Sequence, residues 1–161
     1  MIRVAASMLL CLAVSAAQAH GGCTAGSEFE PPLCPLELPA IRRIAITENA
    51  AKSAAEKDPA IRCDGFRLRE AQVRRYLAHA RSTTARAAHF TLDGSPCYAA
   101  GEVTFSDGRR GRWRIDQFRS GTLTIGTGTS NGNSNSNGNA NSDGEPVALY
   151  CARCRFRPFA W

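Results

Sequence analysis

The fold is decided by residues 98–126, which read YAAGEVTFSDGRRGRWRIDQFRSGTLTIG. Apolar and polar side chains alternate along this stretch with a period of two, which predicts half-buried β-strands with one apolar face. Phe90 and Leu92 begin the pattern upstream, and Val147 and Leu149 continue it downstream. We therefore expect a sheet of four or five strands. Its alternating apolar residues are Val103, Phe105, Trp113, Ile115, Leu123 and Ile125.

The dipeptide Asp107-Gly108 marks the first turn of this sheet. A two-residue loop there would place Val103 opposite Arg112 and mix the apolar and charged faces. A three-residue loop over 106–108 places Glu102 opposite Arg112 and keeps both faces pure. Gly108 would then take the left-handed position that such loops need.

The second turn can be read in the same way. A loop formed by Arg119, Ser120 and Gly121 would place Ile115 opposite Ile125 and again keep each face uniform. Two turns of one form predict an antiparallel meander over 98–126.

Leu68 to Ala80 is the strongest helical segment. Val73, Tyr76 and Leu77 recur at the spacing of one helix face. Thr47 to Lys57 is rich in alanine and predicts a second, short helix, preceded at 41–46 by a short strand or a helical turn. The fold class is therefore α+β, with one main helix packed on a four- to five-stranded antiparallel meander and stabilised by disulfides. The predicted core consists of Trp113, Phe105, Val103, Ile115, Ile125, Leu149, Val73 and Leu77.

The first nineteen residues have the pattern of a secretory signal peptide. Arg3 supplies a positive start, residues 4–14 form an apolar run, and Ala17-Gln18-Ala19 is a cleavage signature. The run is too short for a permanent membrane span, and no later segment is apolar enough. We therefore expect an exported protein, periplasmic or extracellular, with no membrane span in the mature chain.

Six cysteines remain after removal of that leader: Cys23, Cys34, Cys63, Cys97, Cys151 and Cys154. An even number in an exported chain predicts up to three disulfides. If the last strand continues through Cys151 and Cys154, the two side chains lie on opposite faces and need separate partners. We favour that arrangement, with Cys97 bonded to one of them. A strand that stops at Cys151 and turns would allow a local bridge.

The 161-residue chain is 43% hydrophobic and 21% charged, which excludes collagen, coiled coils and a wholly disordered protein. After the signal peptide, residues 20–60 form a Gly- and Pro-rich arm followed by the short alanine-rich helix. Residues 61–161 form the α+β domain. Within this domain, 126–145 is a low-complexity stretch of Gly, Ser, Asn and Thr that predicts a flexible hairpin tip.

Positive charge is concentrated in the second half. Residues 61–161 contain fifteen arginines, no lysine and eight acidic residues. Arg112 and Arg114 lie on the predicted polar sheet face, and Arg153, Arg155 and Arg157 extend it. This face predicts binding to an acidic envelope protein or an anionic polymer. Nucleic acid is disfavoured, because Trp113 and Phe105 point to the other face and cannot stack on bases.

Metal or redox chemistry is the first alternative. Cys151-Ala-Arg-Cys154 has the spacing of redox and zinc motifs, but no helix long enough follows to lower a thiol pKa. His20 would begin the cleaved chain, where its amine and imidazole could chelate copper, with His79 or His89 as a further ligand. The His-Gly start resembles that of copper-dependent polysaccharide oxygenases, a resemblance that covers nothing else in the chain. We expect no cofactor.

A small secreted hydrolase using His79 and His89 as acid and base is the second alternative. No G-x-S-x-G motif or other complete catalytic set accompanies these histidines. The sequence therefore favours a non-catalytic exported protein, a binding or inhibitor-like module. Its partner and its oligomeric state are not encoded in any recognisable motif.

Overall fold

The computed structural model describes residues 22–126 and 144–156, and shows an α+β fold. Six strands and two helices occur within these ranges. They are, in chain order, β1 Ile41–Lys52, α1 Glu70–His79, β2 Arg81–Thr83, α2 Ala85–Thr91, β3 Cys97–Phe105, β4 Arg110–Asp116, β5 Ser120–Gly126 and β6 Val147–Tyr150. None of the helices in the described ranges is long and apolar enough to cross a membrane.

All strand pairs are antiparallel, and the sheet order is β1-β3-β4-β5-β6-β2. The first turn is confirmed, since Glu102 lies opposite Arg112. Gly108 has φ 87°, and its N–H donates to the carbonyl of Phe105 over 3.1 Å. Glycine adopts this left-handed conformation without the steric cost of a Cβ atom.

The second turn differs from the prediction. Ile115 lies opposite Gly121, and Trp113 lies opposite Leu123. The loop is therefore 117–119, and Arg119 takes the left-handed position with φ 70°. Moving the loop by two residues leaves every side chain on its original face, so alternation alone cannot distinguish the two registers.

The alanine-rich segment is a strand, which corrects the helix predicted over 47–57. Residues 47–52 form the second half of β1, which pairs with β3 through three register shifts, and Ala50 has φ 55° at one of them. Alanine has the strongest intrinsic helix propensity, but propensity is a weak predictor, and the hydrogen bonds and packing of a sheet override it here. Residues 41–52 thus belong to the same sheet as the segments predicted to form the α+β domain.

Residues 81–91 form two elements, β2 and α2, that differ from the predicted ones. Phe90 and Leu92 alternate with polar residues, yet residues up to Thr91 form α2. The Thr84 hydroxyl caps this helix by accepting from the N–H of Ala87 over 3.1 Å. Two alternating apolar residues are too few to fix a strand against such a cap. The short edge strand β2 was not predicted.

The core lies between α1 and the apolar face of the sheet. Val73, Tyr76 and Leu77 are buried on α1, and the helix bounds agree with the predicted segment to within about two residues. All eight predicted core residues lie in this core, although Ile125 is only partly buried. Phe66 and Phe156 complete it, each with its ring centroid 6.0 Å from a neighbouring ring.

The six cysteines form three disulfides: Cys23–Cys34, Cys63–Cys97 and Cys151–Cys154. The predicted bond from Cys97 to one of the last two cysteines is therefore wrong. Strand β6 ends at Tyr150 and the chain then turns, with the N–H of Cys154 donating to the carbonyl of Cys151 over 3.1 Å. The turn brings the two Cα atoms to 5.4 Å, within the range that a disulfide requires.

The predicted signal peptide and most of the low-complexity stretch lie outside the described residues. Gly126 ends β5 and Gly144 precedes β6, so the stretch connects two antiparallel neighbours. The predicted flexible hairpin tip itself stays a prediction.

Candidate functional site

The polar face of the sheet carries the first two arginines proposed for binding. Arg112 lies opposite Glu102 on β3 and Thr124 on β5. Arg114 places its Nε 2.9 Å from Oδ1 of Asp116, and its guanidinium carbon 3.7 Å from the centroid of the Tyr98 ring. Each arginine thus has an acidic residue on the same face.

Tyr98 is a member of this face that the sequence reasoning missed. Its hydroxyl donates to Oε2 of Glu48 on β1 over 2.6 Å, and this hydrogen bond raises the pKa of Tyr98. Extending the alternation back by four residues from Glu102 would have found it. The acids Glu48, Glu102 and Asp116 share this part of the face with Arg112 and Arg114 and compensate their charge, while Arg43 and Arg110 lie further along it, opposite Thr104. A strong anion-binding platform needs uncompensated positive charge.

The remaining proposed arginines lie elsewhere. Arg153 and Arg155 are exposed in the segment after β6, and Arg157 lies outside the described residues. Phe156 is buried against Phe66 and Tyr76, so this segment turns toward the α1 side of the sheet. Arg112 lies opposite Thr124 of β5, and Tyr150 at the end of β6 lies opposite Ser120 of the same strand. Thr124 and Ser120 are four residues apart along β5, about 13 Å.

We expect the stability of the protein to depend on pH through the carboxyl of Asp116. Burial raises the pKa of its carboxyl above the ordinary value of 3.8, although Arg114 and Ser120 act in the opposite direction. The folded state then binds the proton more tightly than the unfolded state does. This contribution to stability is present below the unfolded pKa and is lost as the pH rises through the folded pKa.

We expect the wild-type protein to lose stability relative to D116N as the pH is raised from about 3 to about 6. Urea denaturation of both proteins across this range measures the difference in unfolding free energy. A difference that is independent of pH, or that rises with pH in favour of the wild type, would contradict the assignment.

The residues proposed for metal or redox chemistry are arranged differently from such a site. Cys151 and Cys154 are joined to each other and are 0% and 3% exposed, and buried sulfur atoms are inaccessible to exchange partners. The described residues contain no group of three or more metal-ligating side chains. His20 lies outside these residues, so the copper hypothesis stays a prediction.

The two histidines of the hydrolase hypothesis lie on different helices. His79 is in the last turn of α1, which packs against β1, and His89 is on α2, which packs against β6. His79 is also only two residues before Arg81, which begins β2, and β2 pairs with β6. The hydrolase hypothesis therefore stays a prediction.

A groove of about 670 Å³ opens at the end of the sheet where β4 turns into β5. Four segments that are distant in sequence build it: the N-terminal arm, the residues that end and follow α2, the turn after β4 and the turn after β6. Its lining includes Phe29, Glu30, Leu33, Leu92, Asp93, Phe118, Arg119, Tyr150 and Ala152. We call this feature the groove.

One wall of the groove is a loop closed by the Cys23–Cys34 disulfide, which we call the disulfide-closed loop. The N–H of Thr24 donates to the carbonyl of Leu33 over 2.8 Å, and the Thr24 hydroxyl accepts from the N–H of Leu33 over 3.0 Å. At the tip, the Ser27 hydroxyl accepts from the N–H groups of Phe29 and Glu30. The loop therefore has an internal framework of covalent and hydrogen bonds.

This loop is also tied to the sheet. Cys34 and Ser82 exchange two backbone hydrogen bonds of 2.8 and 2.9 Å, so the base of the loop pairs with the edge strand β2. Phe29 at the tip is nonetheless 79% exposed. An exposed aromatic side chain beside a groove is available to a partner, and aromatic residues are enriched among those that contribute most to binding energy.

The floor of the groove is fixed by Arg119. Its carbonyl accepts from the Tyr76 hydroxyl over 3.0 Å and from the N–H of Cys151 over 3.1 Å. Burial raises the pKa of Tyr76 well above its ordinary value, so the hydroxyl keeps the proton that it donates. The Arg119 guanidinium donates to the carbonyl of Ala152 over 3.0 Å and lies 5.5 Å from the centroid of the Tyr150 ring.

Sequence reasoning did not identify the groove. Its aromatic and charged residues come from segments without a shared motif, and only the contact between the arm and the edge strand β2 brings them together. Nothing in the spacing of Cys23 and Cys34 indicates that the loop they close forms a wall of a groove. Comparison of the chain with protein-family models, with curated proteins and with solved structures gives no match.

Proposed function

We propose that this protein is an exported, non-catalytic binding module, and that its ligand occupies the groove. The observation that carries the proposal is a groove of about 670 Å³ between loops that disulfides close and that backbone hydrogen bonds attach to the sheet. Ligand sites typically measure about 300–1,000 Å³ and combine apolar walls with a few polar groups. Loops on a rigid scaffold are the usual location of such sites.

Preorganisation supports the same proposal. A loop that is already ordered loses little conformational entropy when its ligand binds, so more of the contact energy becomes affinity. Here a disulfide closes the loop that bears Phe29, and a second one closes the turn next to Tyr150 and Ala152. The predicted signal peptide and the three disulfides support the export part of the proposal.

Phe29 provides the test, because the chain offers a matched control in Phe90. Phe90 on α2 is 71% exposed but does not line the groove. Wild-type protein, F29A and F90A would be immobilised and exposed to a cell-envelope extract, and the captured partner would then be purified and titrated against each. We expect F29A to weaken binding by about tenfold or more and F90A to change it by less than about twofold.

The double variant R112E/R114E separates the groove from the polar sheet face. Binding that survives in this variant and falls in F29A supports the groove. Equal binding by F29A and wild type, loss of binding in R112E/R114E alone, or capture of no partner by the wild type would contradict the proposal. Circular dichroism of each variant verifies that it is folded.

A further inference from the structure

The charges that line the groove differ from those of the chain as a whole. The protein has a formal net charge of +6. The charged residues of the groove are Glu30, Asp93 and Arg119, so its lining is locally negative. Neither carboxylate forms an ion pair with a residue in the described ranges. Both are therefore available to a ligand.

Arg119 is already engaged by the protein. Its guanidinium donates to the carbonyl of Ala152 and lies over the Tyr150 ring. This arrangement shows that a guanidinium can be held in the groove by an aromatic face and a carbonyl oxygen. The carboxylates of Glu30 and Asp93, together with the ring of Phe29, offer the same two kinds of contact to a second cation.

The exposure of Phe29 bears on the size of the ligand. At 79% exposed, this ring would stay in water if the groove held only a small amine. A peptide segment can place a cationic side chain beside a carboxylate of the groove while its neighbouring residues cover Phe29. Aromatic anchors of this kind contribute most when the partner excludes water around them.

We infer that the groove binds a basic segment of a partner protein, with an arginine or lysine side chain placed beside Glu30 and Asp93. This inference rests on the proposed function and names its ligand class. It reverses the expectation from the arginine count, which favoured an acidic partner. The balanced charges around Arg112 and Arg114 and the unpaired carboxylates of the groove favour the basic ligand.

Three short probes test the inference on the intact protein: acetyl-Ala-Arg-Ala-amide, acetyl-Ala-Gln-Ala-amide and acetyl-Ala-Glu-Ala-amide. Each would be titrated into ¹⁵N-labelled protein. We expect saturable shifts of the amide signals of Thr24, Gly94 and Ala152 with the arginine peptide, and an affinity about fivefold or more above that of the other two.

The double variant E30Q/D93N should lower the affinity for the arginine peptide by about fivefold or more. E28Q is the matched control, because Glu28 lies in the same loop but does not line the groove. It should leave the affinity within about twofold. Preference for the glutamate peptide, or an unchanged affinity in E30Q/D93N, would overturn the inference.

The two proposals fail in different ways. If the arginine peptide does not bind but a captured partner still depends on Phe29, the basic ligand is wrong and the groove stands as the binding site. If no peptide binds and no partner depends on Phe29, both are wrong.

Discussion

Replacing Cys63 and Cys97 together by alanine is expected to lower the unfolding free energy by about 4 kcal/mol. The two residues are 34 apart in sequence, the largest separation among the three disulfides. In the chain-entropy description, a bond that closes a longer loop removes more freedom from the unfolded chain. Domains of this size are stable by about 5–15 kcal/mol in total. Loss of this bond would therefore remove a large part of the stability.

The position of the bond supports this expectation. Cys63 is in the segment before α1, and Cys97 begins β3, so the bond joins the segment that leads into the helix to a central strand. Both residues are buried, at 6% and 2% exposed. Urea denaturation of the oxidised proteins measures the change.

The double variant C151A/C154A is the control, since its bond spans a separation of only three residues. The same relation predicts a loss of about 2 kcal/mol there. A larger loss from C151A/C154A than from C63A/C97A would contradict the proposed order.

Substitution of Gly101 by alanine is expected to lower the unfolding free energy by about 3 kcal/mol or more. A Cβ atom at this position would lie 2.0 Å from the carbonyl oxygen of Ala45 and 2.9 Å from a ring carbon of Trp113. The first of these neighbours is backbone in β1, and the second is a buried side chain. Relief of the overlap requires β1 to move away from β3, which breaks their ladder.

Gly94 is the matched control for this substitution, because an added Cβ there meets no atom within 4 Å. G94A should change stability by less than about 0.5 kcal/mol. Urea denaturation gives both values, and amide hydrogen exchange reports whether protection is lost selectively in β1. A stability of G101A within about 0.5 kcal/mol of wild type would contradict the close approach of β1 to β3.

The parts of the fold that the sequence predicts are those with a repeating pattern. Alternation over β3, β4 and β5 identifies the strands, the polar face and the first turn, because burial of one face makes a one-residue slip costly. The buried face of α1 is predicted because Val73, Tyr76 and Leu77 recur at the spacing of one helix face. The predicted position of the second turn is wrong because a shift of two residues preserves the alternation. The left-handed residue of this turn is Arg119, whereas glycine is the residue that favours this conformation, so the residue type does not mark the turn.

The other differences depend on partners that are distant in the chain. The alanines of β1 favour a helix by intrinsic propensity, and their pairing with β3 overrides that preference. Cys151 and Cys154 can pair with each other because β6 ends at Tyr150, and no residue nearby indicates in the sequence that the strand ends there. The groove depends on contact between the arm, α2 and the ends of two strands, so it exists only in the folded chain.

The groove requires that the Cys23–Cys34 and Cys151–Cys154 disulfides are formed in the protein as the cell produces it. Mass spectrometry tests this most directly on protein recovered from the envelope or the medium, alkylated without reductant and then cleaved. The expected result is a chain that begins at His20, with no alkylated cysteine and with peptides linked as 23–34, 63–97 and 151–154. Free thiols at these positions in a chain that keeps its leader, or a link between Cys97 and either of the last two cysteines, would contradict the proposed site.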